Sequence, residues 1–298
     1  MDTTLAPAAA SLQRVREVLS LFKLRIGGFI SITALVGFAV SGKGQDLTLI
    51  QVTVLALSVL LASASAGAFN QYAEAEGDRL MARTRKRPFA TGAIPRRPAW
   101  LLLMALMLAL AVGSAAWVLN AMVAFYIFLG AFFYGVVYTL WLKRRSWLNI
   151  VVGGLSGSFA ALAGAAAVDP GVGVHGWLLA LALFLWTPPH FWSLAIAGAA
   201  DYTAAGVPML PVVVGNARAA RIVYASAVAL GLAALLPMFF GAGWIYLLGA
   251  LGGGGYFVLK ARALALAPSR ATAMASFFAS LLQLGALLAA ASIDGLLR

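Results

Sequence analysis

Long apolar segments recur along this chain, and short polar segments separate them. A helix needs about 20 consecutive apolar residues to cross a bilayer, because lipid offers its backbone no hydrogen-bond partners. Pro237, Gly241 and Gly243 mark a turn that divides one long apolar stretch into two. The pattern predicts an all-α fold, a polytopic membrane bundle of nine transmembrane helices, at 26–42, 48–70, 100–119, 121–140, 149–168, 177–199, 220–240, 242–259 and 272–292.

The composition agrees with a membrane protein. Hydrophobic residues make up 63% of the 298 residues and charged residues 10%, and the mean hydropathy is +0.95. Because a soluble domain is about half apolar and about a quarter charged, a soluble, disordered or fibrous chain is excluded. The chain contains no cysteine, which excludes disulfides and thiolate metal sites.

The net charge of +12 would suit a nucleic-acid-binding protein, but the positions of the basic residues explain it differently. If the N-terminus lies inside, all but two of the 21 Lys and Arg residues fall in inside segments, the exceptions being Lys43 and Arg298. Basic residues stay on the cytoplasmic side of a membrane. The distribution predicts an N-in/C-out topology, no nucleic-acid partner, and a multi-pass protein of the bacterial inner (cytoplasmic) membrane. An organelle inner membrane is the alternative.

Residues 1–25 are predicted to form a cytoplasmic N-terminal segment, and residues 26–298 a single transmembrane domain. The first residues lack the early basic residue of a secretory signal. Apolar side chains recur on one face of residues 11–25, which predicts a helix lying in the interface of the cytoplasmic leaflet. That face consists of Leu12, Val15, Val18, Leu19 and Phe22.

The polar chemistry is concentrated in the inside loops, above all in the segment NQYAEAEGDRLMARTRKRP that follows the second span. In a continuous helix Asn70, Glu74 and Asp78 fall at i, i+4 and i+8 and share one face. Glu76 points away from them. Two carboxylates and an amide oxygen suit Mg²⁺ together with substrate phosphates. The pattern favours an active site at the cytoplasmic mouth of the bundle; the alternative is that these acids only neutralise a basic loop as solvated ion pairs.

Basic side chains and a further acid accompany this stripe. Arg83 and Arg87 follow it in the same loop, and arginine binds phosphate through two parallel hydrogen bonds. Lys143 and Arg144, after the fourth span, reach the same phosphates or serve only as a topogenic cluster. Asp201, in the loop DYTAAGVPMLPVVVG after the sixth span, is a functional acid or simply a helix cap.

The sixth span contains the sequence WTPPHFW. Pro188 and Pro189 lack backbone N–H groups, so a break or kink of the helix is expected there. His190 lies beside Trp186 and other aromatic residues at a depth where a polar side chain is costly, which makes it a functional candidate. It could ligate iron, bond a carboxylate or move a proton. The alternative is an interfacial histidine in an aromatic belt.

These segments together resemble a known family. The segment 70–88 is similar to the N-x3-[DE]-x3-D-x2-M-x-R-T-x2-R-P signature of the UbiA-like intramembrane prenyltransferases. YTLWLKRRSWLNIVVGG, WTPPHFWSLAI and DYTAAGVPMLPVVVG resemble the branch of that superfamily that farnesylates protohaem IX. The likeness extends from about Lys23 to Gly215, most of the chain.

The resemblance implies a nine-helix bundle that transfers a farnesyl group from farnesyl diphosphate to a vinyl group of haem B and adds water, which produces haem O. It implies contact with membrane lipids and hand-off of haem to a haem A synthase or a terminal oxidase. It places His190 and Trp186 on the haem side. It implies a Mg²⁺–diphosphate site at Asn70, Glu74, Asp78 and Asp201. It implies that the diphosphate is bound by Arg83, Arg87, Lys143 and Arg144.

A few positions depart from the family pattern. Leu24 stands where relatives usually have proline, Ala160 and Ala161 where they have a proline pair, and Ala200 where they often carry charge. These changes concern the acceptor pocket more than the diphosphate site, so a quinone or chlorophyll precursor is an alternative acceptor in the same superfamily. A transporter of a lipid or an anionic solute is the alternative from another class, although transporters place polar groups near the midplane.

Overall fold

The computed structural model describes the backbone of residues 5–41 and 47–297, with side chains from residue 13 onward. Helices make up most of this part of the chain, and it contains no β-strand. They include a π-helix, π1 (Phe133–Leu142), and a 3-10 turn (Leu236–Phe240). In chain order the helices are α1 (Leu5–Leu21), α2 (Leu24–Ser41), α3 (Leu49–Ala73), α4 (Ala75–Arg79), α5 (Pro88–Thr91), α6 (Pro98–Val118), α7 (Ala121–Phe132), α8 (Asn149–Gly153), α9 (Leu155–Val168), α10 (Val174–Ala197), α11 (Ala199–Ala204), α12 (Leu210–Val214), α13 (Asn216–Ala233), α14 (Trp244–Leu266) and α15 (Arg270–Leu297).

Within the described residues, eight segments are long and apolar enough to cross a membrane, in agreement with an integral membrane protein. In this count α7 is joined to π1, α8 to α9, and α13 to the 3-10 turn. The helix α14 has 23 residues, but the glycine run 252–255 and the basic residues Lys260 and Arg262 dilute its apolar character, and it is not among the eight. Within the described residues each predicted window overlaps one of these helices; the window at 220–240 includes the 3-10 turn, and the last residue of the window at 26–42 lies outside the described residues. The count of nine spans and the N-in/C-out orientation stay predictions.

Small residues let α2 and α9 cross in close contact. Gly37 lies against the backbone carbonyl of Ala161, and Gly164 lies against that of Ala34, so neither glycine has room for a Cβ atom. Because lipid is as apolar as the helices, close backbone packing of this kind supplies much of the attraction between them. Ala161, one of the positions that depart from the family pattern, is therefore part of a helix crossing.

The C-terminal helices α14 and α15 are joined by tight packing and by a helix cap. Gly253 of α14 lies against the backbone of Gln283 on α15. Asp294 of α15 accepts a hydrogen bond of 2.8 Å from the backbone nitrogen of Gly243, so its carboxylate caps the first turn of α14. The helix α15 also packs against α2 and α10, and it thereby ties the end of the chain to the first span.

The helix α10 runs without a break through its two prolines. Each proline removes one backbone donor, so the carbonyls of Phe184 and Leu185 lose their i+4 partners, and the helix continues on both sides of this gap. The hydroxyls of Thr187 and Ser193 donate to other carbonyls of the same helix, those of Leu183 over 2.9 Å and Pro189 over 2.7 Å. The expected break at Pro188 is therefore absent, and a kink stays a prediction.

The N-terminal helix α1 packs one side onto the bundle. Leu21 is completely buried and belongs to a small core with Phe89 and Met104. Val15 and Leu19, from the predicted apolar face, are exposed by 55% and 49%. The side chain of Leu12 lies outside the described residues. An interfacial position for α1 stays a prediction.

Candidate functional site

Asn70, Glu74 and Asp78 lie on one continuous face where α3 passes into α4. The two helices are assigned separately, yet the nitrogen of Glu74 donates to the carbonyl of Asn70 over 3.0 Å, and that of Asp78 donates to the carbonyl of Glu74 over 2.8 Å. This i to i+4 spacing keeps the three side chains in register. All three are buried, with 4%, 6% and 2% of their surface exposed. We call these three residues the oxygen stripe.

Basic side chains pair with both carboxylates of the oxygen stripe. Lys143 Nζ lies 2.6 Å and Arg144 Nη2 lies 3.7 Å from Glu74 Oε2. Arg87 Nη1 lies 2.8 Å from Asp78 Oδ2. Two distant loops therefore converge on one helix face. The carboxylates are buried and the side chains of Lys143 and Arg87 are 12% and 21% exposed, whereas that of Arg144 is 48% exposed.

A glycine makes room for one of these cations. A Cβ atom at Gly77 would overlap the guanidinium of Arg144, and it would lie 3.6 Å from Glu74 Oε2. The absence of a side chain at position 77 therefore lets the guanidinium lie over α4, next to the carboxylate.

Glu76 points away from the oxygen stripe. Its side chain is 61% exposed and forms ion pairs with Arg79 at 2.8 Å and Arg96 at 2.5 Å. Exposed pairs of this kind contribute about 0–1 kcal/mol to stability. The third carboxylate of the segment therefore belongs to the surface of the loop.

Lys23, at the junction of α1 and α2, contacts Asn70, the amide residue of the oxygen stripe. Its Nζ donates to Asn70 Oδ1 over 2.8 Å and to Tyr134 Oη over 3.2 Å. Its methylenes pass within 3.4–3.7 Å of the position that a Cβ atom would take at Gly67. Burial lowers the pKa of Lys23 below its usual value. From the sequence, Lys23 is counted only among the basic residues that set the topology. The one sequence feature that indicates a further role is its position directly before the first span.

The π-helix π1 holds the amide of Asn70 in one orientation. Thr139 Oγ1 donates to the carbonyl of Tyr134 over 2.8 Å, so it accepts from Asn70 Nδ2 at 3.1 Å. The amide oxygen of Asn70 is thereby directed to Lys23. π-helical turns are rare and frequently occur at functional sites. The rings of Tyr134 and Tyr138 stack beside this contact with centroids 5.7 Å apart and an angle of 15°.

Arg83 and Asp201 are less closely attached to the oxygen stripe than Arg87, Lys143 and Arg144, which form ion pairs with it. Arg83 is exposed and Asp201 is half-buried on α11. In the part of the chain with described side chains, neither forms an ion pair. Tyr202, next to Asp201, and Met81, two residues before Arg83, contribute to the same buried core. The loop that contains Arg83 and the helix α11 that contains Asp201 therefore pack against the same hydrophobic core.

His190 and Trp186 belong to a separate cluster between α10 and α15. The two rings stack with centroids 4.1 Å apart, and Phe277 of α15 stacks at 4.5 Å on the histidine. Packing connects this cluster to π1, because Cβ atoms at Gly153 and Gly154 would come within 3 Å of Tyr138 and Thr187 respectively. His190 therefore lies one helix turn from Thr187, which packs against Gly154, and the neighbouring Gly153 packs against Tyr138.

The charges at the oxygen stripe do not balance. Two carboxylates face Arg87, Lys143, Arg144 and, through Asn70, Lys23. A surplus of positive charge around two buried carboxylates favours an anion with more than one negative charge. Among the described residues no cluster of three or more His, Cys, Asp or Glu could hold a metal by itself. A divalent ion here would depend on ligand oxygens and water as well as on the oxygen stripe.

Comparisons with known proteins identify the family. The model of the UbiA prenyltransferase family matches residues 30–282. The chain is 52% identical over 283 residues to protoheme IX farnesyltransferase 2 of Paramagnetospirillum magneticum, covering 95% of this chain and 98% of the relative.

Solved structures agree on the fold. The structure of a digeranylgeranylglyceryl phosphate synthase matches with a TM-score of 0.78 at 18% identity, over 96% of this chain and 100% of that chain. A UbiA homolog from Archaeoglobus fulgidus, bound to DMAPP and Mg²⁺, matches with a TM-score of 0.67 at 17% identity, over 90% of this chain and 99% of that chain. The chain is therefore a membrane prenyltransferase that belongs to the UbiA prenyltransferase family and, within it, to the protohaem IX farnesyltransferases.

Proposed function

We propose that this enzyme transfers the farnesyl group of farnesyl diphosphate to a vinyl group of haem B, producing haem O, at a site on the cytoplasmic side of a bacterial inner membrane. The observation that carries the proposal is the buried oxygen stripe with its surplus of cations. The name of the relative that is 52% identical supports the choice of acceptor and donor.

The oxygen stripe fits a divalent ion by the chemistry of its donors. Asn70 supplies an amide oxygen, and Glu74 and Asp78 supply carboxylates, all on one face. Mg²⁺ prefers one or two carboxylates completed by water and substrate phosphates. In this proposal these residues hold Mg²⁺ and Asp201 joins from the second acidic loop. When bound, Mg²⁺ neutralises negative charge on the diphosphate.

The basic side chains bind the diphosphate. Arg87, Lys143 and Arg144 now neutralise the carboxylates, and they can turn to phosphate oxygens when a metal ion takes over the carboxylate charge. Arg83 lies exposed at the loop and joins them from the solvent side. These side chains then stabilise the charge that develops on the departing diphosphate, and stabilisation of this kind is usually the largest single contribution to catalysis.

The reaction breaks the bond between C1 of the farnesyl group and the diphosphate oxygen, and the electron pair leaves with the diphosphate. The π electrons of the vinyl group form a new bond to C1, and water adds to the cation that results and releases one proton to solvent. The stacked faces of Tyr134 and Tyr138 lie beside Asn70 and attract an allylic cation. The isoprenoid tail lies among apolar helices and membrane lipids. Delivery of the product to a haem A synthase or a terminal oxidase stays a prediction.

The experiment is a reconstituted reaction. Purified protein in lipid nanodiscs receives haem B, farnesyl diphosphate and Mg²⁺, and the product is analysed by liquid chromatography and mass spectrometry. We expect haem O. Absence of a haem product together with prenylated hydroxybenzoate in the parallel assay would replace haem by a quinone precursor. Solute flux in liposomes without prenyl transfer would overturn the enzyme assignment.

A further inference from the structure

The ring of His190 is held in an aromatic slot. Trp186 stacks on it at 4.1 Å and 19°, and Phe277 stacks at 4.5 Å and 27°. Phe191 meets it edge to face, at 4.9 Å and 81°. The histidine is 5% exposed. Because aromatic rings cover the faces of the imidazole, polar interactions are left to its two nitrogen atoms.

The contacts around His190 favour one tautomer of its ring. His190 Nδ1 lies 2.7 Å from Ser280 Oγ. Ser280 Oγ already donates its single proton to the carbonyl of Phe277, over 2.6 Å. Because a carbonyl can only accept, both contacts are satisfied when the hydroxyl accepts from the ring and Nδ1 carries the proton. Trp186 Nε1 donates to the carbonyl of Ser280 over 2.8 Å, which holds the same turn of α15 in place.

In this tautomer Nε2 bears a free lone pair. Among the described residues, the hydrogen-bond partner of the ring is a hydroxyl and its stacking or edge partners are three aromatic rings, none of them anionic. A general base must become an imidazolium, and a buried cation without a counter-ion is costly. Coordination of a metal needs the lone pair but no protonation of the ring. The surroundings therefore favour a metal ligand over a proton relay.

We propose that Nε2 of His190 is the axial ligand of the iron in the haem acceptor, with Ser280 and Trp186 as positioning residues. The proposal rests on the proposed function, since haem is the substrate there. Histidines that bind metals through one nitrogen usually donate the other N–H to an oxygen, which is the arrangement of His190 and Ser280. The iron lies at the centre of the macrocycle and the vinyl group at its edge, so a fixed iron leaves the edge free to meet the allylic cation.

The experiment follows ligation by spectroscopy. Purified protein is titrated with haem B in the absence of farnesyl diphosphate, and the Soret band and the electron paramagnetic resonance spectrum report an axial nitrogen. We expect the nitrogen signature in the wild type and its loss in His190→Ala, with restoration by added imidazole. Ser280→Ala should keep the ligand but weaken haem binding by about 10–100-fold, the usual effect of losing such a second contact.

A matched control lies one helix turn away. Ser276 is also buried, and its hydroxyl lies 2.9 Å from that of Ser193, so Ser276→Ala removes the same atom without touching the histidine. Ser276→Ala should bind haem like the wild type. Equal losses in Ser276→Ala and Ser280→Ala would overturn the proposal, and that comparison holds even if His190→Ala does not fold.

Two results distinguish failure of this proposal from failure of the proposed function. If His190→Ala shows the wild-type spectrum and haem affinity while the wild type makes haem O, the ligand assignment is wrong and the function stands. If the wild type neither binds nor farnesylates haem B but prenylates another acceptor, both the function and the ligand assignment are wrong.

Discussion

Replacement of Glu74 by glutamine tests the oxygen stripe most directly. Glutamine keeps the size of the side chain and one acceptor oxygen, but it removes the negative charge that faces Lys143 and Arg144. Glu74 Oε2 lies 2.6 Å from Lys143 Nζ, with 7% and 12% of the two side chains exposed. Loss of one partner of a buried ion pair costs about 3–5 kcal/mol, and the remaining hydrogen bond offsets part of it. We expect the free energy of unfolding to fall by about 2–3 kcal/mol.

Turnover should fall more than stability. In the proposed function Glu74 holds the ion that stabilises the leaving diphosphate, and removal of one such electrostatic group lowers rates by about 100- to 1,000-fold. The measurement is the rate of haem O formation at saturating substrate, made with protein that thermal unfolding in nanodiscs shows to be folded. A retained rate would remove Glu74 from the metal site.

Glu76→Gln is the matched control for Glu74→Gln. It makes the same chemical change two residues away, at a side chain that is 61% exposed and paired with Arg79 and Arg96. Its effect on stability should stay within about 1 kcal/mol, with turnover close to that of the wild type. Equal losses of turnover in the two variants would refute the reasoning, because they would show that the acids only balance the charge of the loop.

Three further predictions concern packing and the metal. Gly77→Ala should leave the unfolding temperature nearly unchanged, since it displaces only the flexible end of Arg144, but it should raise KM for farnesyl diphosphate about tenfold, or about 1.4 kcal/mol; an unchanged KM would contradict a role for this guanidinium. Gly164→Val should lower the free energy of unfolding by about 3 kcal/mol or more, because the side chain would overlap α2, whereas Gly157→Val on the same helix faces open space and should be tolerated. Removal of divalent ions with EDTA should abolish prenyl transfer and excess Mg²⁺ should restore it; full activity in EDTA would rule out the metal.

The membrane helices could be predicted because their signal is long and one-dimensional. Burial in lipid demands an apolar run of fixed length, whatever the packing partner, and within the described residues each predicted window overlaps a helix. The count is weakest at α14, where glycines serve helix packing and lower the hydropathy at the same time. Close packing and apolar length are different requirements, and a hydropathy pattern reports only the second.

The site was predictable only in part. The register of Asn70, Glu74 and Asp78 follows from helical periodicity, and the structure keeps that register across the junction of α3 and α4. The π-helix π1 has no comparable signal, because a ladder of i to i+5 hydrogen bonds depends on what the helix packs against. Contacts such as that of Thr139 with Asn70 join residues 69 positions apart, and no local pattern encodes them.

Two roles are predicted for the basic residues, orientation of the chain in the membrane and binding of the diphosphate, and burial distinguishes between them. A charge that only fixes topology gains nothing from leaving water, and its burial costs free energy unless a partner compensates. Arg85 and Lys86 remain exposed, as a purely topogenic role allows. The side chain of Lys143 is 12% exposed and lies against Glu74, and Lys23 is withdrawn from water against Asn70 and Tyr134. Their withdrawal from solvent has to be explained by what they contact, and what they contact is the oxygen stripe.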